Sequence, residues 1–148
     1  MRRLATFVHP QKGVRFSPYI YVEPKSHRVV KRGQLASLYQ SRRRLVWGEA
    51  DGSGDPIRLT FRRYFDHYVY RQDLLADKTP GYNRPGQGGN TVSNIFQTYP
   101  RAIIVTYGHE GITGPEGGAM DWQTLSLVFE RMGNQWYLVG IVNDEWTI

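Results

Sequence analysis

Three long runs of β-branched and aromatic residues fill the last third of the chain, and they constrain its fold more than any other feature. Residues 101–111 (RAIIVTYGHEG), 121–132 (DWQTLSLVFERM) and 135–146 (QWYLVGIVNDEW) each read as a β-strand. Between the second and third sits Gly133-Asn134, a pair suited to the positive φ of a tight hairpin turn. The stretch ITGPEGGAM between the first two is a wider loop. Three consecutive antiparallel strands make a meander. At about ten residues each they span about 30 Å, and strands that long twist and curve. A curved antiparallel sheet needs cover on its concave face, and helices from the first half are available to supply it. The expected fold class is therefore α+β, a single domain over 1–148.

Both faces of the third run carry apolar side chains. Regular alternation places Trp136, Leu138, Gly140, Val142, Asp144 and Trp146 on one face, with Tyr137, Val139, Ile141 and Asn143 on the other. Both faces are expected to be covered, one by helices and the other by a second subunit, which points to a homodimer.

The first half is less regular. Residues 14–22 (VRFSPYIYV) read as a strand in which Pro18, lacking an N–H, demands an edge or a bulge. Residues 34–43 place Leu35, Leu38 and Tyr39 at helical spacing, and 45–50 (LVWGEA) form a short strand. DGSGDP at 51–56 is a turn. Thr60 is a good N-cap for a helix to about Arg71, with Phe61, Tyr64, Phe65 and Tyr68 on one face and Arg62, Arg63 and Asp66 on the other. Residues 76–90 read as a long loop; GQGGN within it lacks the spacing and the Lys-Ser/Thr pair of a phosphate loop.

Composition narrows the function classes. With 148 residues, 14% aromatic and 22% charged, the chain can bury a core and is not a disordered polyampholyte. The absence of Cys excludes disulfides, thiolate metal sites and a Cys nucleophile. There is no apolar run long enough for a membrane span, and MRRLATFVHPQKG lacks the apolar stretch of a signal peptide. Residues 1–74 carry 15 Lys/Arg against 6 Asp/Glu; residues 75–148 carry 4 against 7. A basic half favours an anionic partner, but Arg-rich chains also arise without one, so nucleic acid is not the expected partner.

Several constellations are candidates for chemistry. His9, Lys12, Arg15 and Tyr19 cluster near the start, and Arg15 with Tyr19 shares a strand face suited to gripping an anion. His109 ends the first long strand and has the right side chain for a general acid or base. Asp121 and Asp144 lie at the far end of the second hairpin, where two carboxylates can divide acid and base roles. Trp47, Tyr64, Trp122 and Trp146 belong to an aromatic set, mostly core, part of which is expected to line a pocket. No fixed metal-ligand spacing is present, and neither a metal nor a cofactor is expected.

The segments HPQKGVRFSPY (9–19), WGEADGSGDPI (47–57) and MDWQTLSLVFERMGNQWYLVGIVNDEWTI (120–148) resemble a family of poorly characterised bacterial proteins, many of them secreted or lipoproteins. That resemblance spans nearly the whole chain. It implies the nuclear transport factor-like (polyketide-cyclase-like) cone, in which helices pack into a curved sheet around a pocket, and it suggests an extracytoplasmic location. The chain departs from the cone in one respect: only eight residues precede His9-Pro10, where a long helix is usual. The leading functional expectation is a small-molecule-binding or protein-interaction module. Its ligand set would be His9, Arg15, Tyr19, Trp47, Tyr64, Trp122 and Trp146. The alternative is a cofactor-independent hydrolase or isomerase using His109, Asp121 and Asp144. Polyanion binding through the basic half ranks last.

Overall fold

A computed structural model describes residues 1–74, 80–84, 91–109, 112–113 and 119–146; for 109, 112–113 and 119–120 it describes the backbone alone. Among those residues the strands, in chain order, are β1 (Val14–Ser17), β2 (Val29–Val30), β3 (Leu45–Glu49), β4 (Pro56–Leu59), β5 (Gly81–Tyr82), β6 (Ile103–His109), β7 (Ile112–Thr113), β8 (Ala119–Met120), β9 (Gln123–Met132) and β10 (Gln135–Glu145). The α-helices are α1 (Arg2–Phe7), α2 (Leu35–Gln40), α3 (Phe61–Tyr64) and α4 (Ile95–Thr98). Six strands form one sheet in the order β2-β1-β10-β9-β6-β5, while β3–β4 and β7–β8 are separate pairs. The architecture is α+β, as expected.

The meander forms as its sequence dictates. β9 and β10 pair antiparallel from Met132↔Gln135 to Gln123↔Glu145, and Gly133 takes the positive φ of 62° that the turn requires. β6 pairs antiparallel with β9 from Ile103↔Phe129 to His109↔Gln123.

The sheet as a whole is mixed, which corrects the expectation of an antiparallel one. β1 runs parallel to β10, with Arg15 opposite Gly140 and Ser17 opposite Val142. β9 already fills the other side of β10, so β1 takes its remaining free edge, and β2 then pairs antiparallel with β1. β1 is thus an interior strand and stops at Ser17 instead of running to residue 22. Pro18 has no N–H for either ladder, so the strand ends where the proline begins.

A second correction concerns the faces of β10. Leu138 pairs with Phe129 and Gly140 with Val128, which leaves Val139 as the extra residue of a bulge. The bulge breaks simple alternation. Leu138 and Ile141 consequently enter one core, while Val139 and Val142 enter the other.

Thr60 caps its helix as expected, its Oγ1 accepting the Arg63 amide at 3.3 Å. After α3 the helix widens into a π-turn at Phe65–Val69, where the Tyr70 amide donates to the Phe65 carbonyl at 2.9 Å. Phe61, Tyr64 and Tyr68 are buried and Phe65 is half-buried, while Arg62, Arg63 and Asp66 are exposed. The helix expected at 34–43 is shorter: a 3₁₀ turn at Arg32–Gln34 leads into α2, which stops at Gln40. Residues 56–59 pair with β3 as β4, and Gly81–Tyr82 pair with β6 inside the segment expected to be loop.

The larger core is aromatic. Trp47 stacks on Tyr64 at 4.4 Å and on Phe61 at 5.3 Å, and Phe16 meets all three edge-on. Burying each such ring contributes roughly 1.5–3 kcal/mol. The Trp47 indole N–H also donates to the Leu59 carbonyl at 3.0 Å, tying the β3–β4 hairpin to this core. On the opposite face Val22, Ile95, Tyr99, Ile104, Val128, Val139 and Val142 form a second core. Both faces are covered, but the second cover is α4 and its flanks from the same chain, in the place where a second subunit was expected. No helix among the described residues is long and apolar enough to cross a membrane.

Candidate functional site

The β9–β10 ladder runs out at Gln123↔Glu145, and one further bond, from the Trp146 amide to the Trp122 carbonyl at 3.1 Å, carries the pairing past it. Alternation then puts Asp144 and Trp146 on the same face as Thr124 and Trp122. Two other segments close over this end of the sheet. One is the chain from Tyr19 to His27, held by the Asn94 side chain: its Oδ1 accepts the Val22 amide at 2.7 Å and its Nδ2 donates to the Val22 carbonyl at 2.9 Å. The other is the turn between β3 and β4, closed by the Ala50 amide donating to the Asp55 carbonyl and the Gly54 amide donating to the Ala50 carbonyl. Together they enclose a cleft of about 620 Å³.

Two residue types dominate its walls. Tyr19, Tyr21, Trp122 and Trp146 supply aromatic surface, and Glu23, Glu49, Asp51, Asp144 and Glu145 supply carboxyl groups. Among the described residues no Lys or Arg lines it, although the chain carries a formal net charge of +6. Glu23, Glu49 and Asp51 are exposed at the rim, whereas Asp144 is 7% exposed and its Oδ2 has no hydrogen-bond partner. Burial first, and the neighbouring Glu145 second, push the Asp144 carboxyl up to about 6.

Glu145 is compensated from the far side. Arg71 Nη1 lies 3.5 Å from its Oε2 and His67 Nε2 lies 3.8 Å from its Oε1. The same guanidinium donates to Asp121 Oδ1 at 3.0 Å. Asp121 is an exposed residue at φ 61°, outside the cleft lining. The structure therefore joins Asp121 to Glu145 through Arg71, where sequence reasoning coupled Asp121 to Asp144.

His27 forms part of the wall. Its Nδ1 accepts the Glu23 amide at 3.0 Å, so the neutral ring carries its proton on Nε2 and the Ser17 hydroxyl, also 3.0 Å from Nδ1, is a donor. Burial, then the charge of Arg15, lower its pKa to about 4. Ser17 is 1% exposed and does not line the cleft, so the pair fixes the turn over Glu23–His27 and presents no nucleophile. Beneath the ring Gly48 sits at φ 149°; a Cβ there would lie 3.0 Å from His27 Cδ2. At the base of the cleft Tyr19 meets Tyr68 edge-on at 6.0 Å, and burial raises the Tyr68 phenol so that it stays neutral.

Of the residues singled out from sequence, Tyr19, Trp122, Asp144 and Trp146 line the cleft. Trp47 and Tyr64 are fully packed in the aromatic core and not in the cleft. His9 is buried elsewhere, its Nδ1 accepting the Gln11 and Lys12 amides at 3.2 and 3.0 Å within the turn before β1. Arg15 points to the second core and donates to the Tyr99 hydroxyl at 3.3 Å. The His109 backbone pairs with Gln123, and its side chain lies outside the described residues, as does the GQGGN segment. Sequence reasoning missed Tyr21, Glu23, His27, Glu49 and Asp51. The available signal was that Glu23, Glu49 and Asp51 are half of the six acidic residues in a strongly basic half.

Among the described residues no three His, Asp or Glu side chains converge closely enough to hold a metal ion. The chain was compared with protein-family models, curated proteins and solved structures, and none matches.

Proposed function

We propose that this protein binds a small organic molecule in the cleft at the end of β9 and β10, on a sheet-and-helix frame of the cone type that the sequence resembles. One observation carries the reading. Asp144 lines a cavity of about 620 Å³, is more than nine-tenths buried, and keeps one carboxylate oxygen without a partner. A buried carboxyl group left unpaired lowers stability, and such a group is retained where something else completes its hydrogen bonding. The aromatic walls support the same reading, since ligand sites combine apolar surface with a few polar anchors. Trp146 supports it too, being a large aromatic left 36% exposed beside the buried Trp122.

The test is a ¹⁵N-resolved NMR titration that follows the Trp122 and Trp146 indole N–H signals. The titrants are small amines, alcohols and carboxylates of matched size. Saturable shifts at these two indoles, with the Trp47 indole unmoved and the melting temperature raised, are expected for at least one chemical class. Indole signals that stay put for every class would overturn the reading.

A further inference from the structure

We propose that the cleft selects an organic ammonium compound, its cationic nitrogen against Asp144 and its apolar body against Trp122 and Trp146. This rests on the reading of the cleft as a ligand site.

The sign of the lining carries the first step. The chain holds 19 Lys and Arg against 13 Asp and Glu, yet among the described residues every formally charged side chain lining the cleft is acidic. These carboxylates repel an anionic ligand. A neutral polyol leaves the like-charged neighbours Asp144 and Glu145 as they are, whereas a cation seated against Asp144 relieves their repulsion. Glu145 Oε2 also lacks a hydrogen-bond partner, but Arg71 lies 3.5 Å from it and balances its charge, whereas among the described residues no cation lies within ion-pair distance of Asp144.

Depth carries the second step. Glu23 and Glu49 are exposed at the rim and Asp144 is buried, an arrangement that draws a cation inward. The acidic groups do not converge on one point, which suits a nitrogen on a larger body better than a divalent metal ion. Indole faces attract cations as well as apolar groups, so Trp122 and Trp146 serve both ends of such a ligand.

Isothermal titration of the full chain at neutral pH with 2-phenylethylamine, 2-phenylethanol and phenylacetate tests the charge preference at nearly constant shape. Calcium chloride serves as a fourth titrant. The amine is expected to bind about tenfold or more tightly than the alcohol, with the carboxylate and calcium weakest. Asp144→Asn is expected to erase the preference for amine over alcohol while leaving alcohol binding. Glu23→Gln and Glu49→Gln, both at exposed positions, are expected to weaken the amine alone in smaller steps. Equal binding of amine and alcohol, or preference for the carboxylate or calcium, overturns the ammonium assignment but leaves a ligand site. Binding of none of the four, with still indole signals, overturns the ligand site itself.

Discussion

His27 Nδ1 and Ser17 Oγ lie 3.0 Å apart, both residues buried, and the Glu23 amide shares the same ring nitrogen. One neutral imidazole thus ties the end of β1 to the Glu23–His27 turn. Its pKa of about 4 in the fold, against 6.5 when free, means that the unfolded chain takes up the proton first as pH falls. Stability from His27 is complete above pH 6.5 and is lost progressively toward pH 4. The amount is about 3 kcal/mol. Because Asp144 titrates in the opposite sense over this range, urea midpoints between pH 7.5 and 4.5 should show the loss in Asp144→Asn and not in Asp144→Asn combined with His27→Gln. Two-dimensional ¹⁵N NMR should show the proton on Nε2. Gly48→Ala should displace the ring, both by its φ and by the 3.0 Å approach of its Cβ, and should lower stability at pH 7.5.

Asp144 works in the opposite direction. Its folded pKa is raised from 3.8 to about 6, so its contribution is most favourable below pH 3.8 and is lost as pH rises through 6. Asp144→Asn should therefore stabilise the protein at pH 7.5 by about 2–3 kcal/mol, with the advantage vanishing near pH 4. Thermal melts of both proteins at the two pH values check this. A variant less stable than wild type at pH 7.5 would show that the carboxylate is structurally satisfied.

Arg71 serves two carboxylates of unequal burial. Asp121 is 63% exposed and Glu145 only 7% exposed by side chain. Asp121→Asn should cost under about 1 kcal/mol, as exposed ion pairs do. Arg71→Gln strands Glu145 and should cost about 3 kcal/mol, and adding Glu145→Gln should restore part of the loss. Denaturant titration of the wild type, Arg71→Gln, Glu145→Gln and the double variant completes the cycle.

Trp47 joins the aromatic core to the β3–β4 hairpin. Trp47→Ala should cost about 3–5 kcal/mol by cavity formation. Trp47→Phe keeps much of the ring but leaves the Leu59 carbonyl without its indole donor, for about 1–3 kcal/mol. Since Trp47 is outside the cleft, Trp47→Phe should leave the Trp122 and Trp146 titrations unchanged.

What the sequence made legible was local. The meander followed from residue type and the Gly133-Asn134 turn, and the helix after Thr60 followed from a cap and an aromatic stripe. The parallel pairing of β1 with β10 left no local trace, because its two members are separated by most of the chain and each reads simply as a strand. The bulge at Val139 was hidden by its surroundings: Leu138, Val139, Ile141 and Val142 are all apolar, so either phase of alternation looks acceptable. The cleft was half legible. Trp122, Asp144 and Trp146 come from one hairpin end and could be grouped by register. Glu23, His27 and Glu49 arrive from elsewhere in the chain, and only the closing of the segment over Tyr19–His27 brings them to the same cavity.

The pairing of β1 with β10 also sets the order in which the molecule can be built. β10 is synthesised after every other described strand, yet it is the partner of β1 and carries Asp144 at its far end. Until it emerges from the ribosome, Val14 and Phe16 sit on a strand with an open hydrogen-bonding edge, a surface prone to pairing with the wrong chain. Docking of that one strand completes the interior of the sheet and the floor of the cleft together. The cleft thus has no partly assembled form: its walls meet only when β10 has joined β1 and β9.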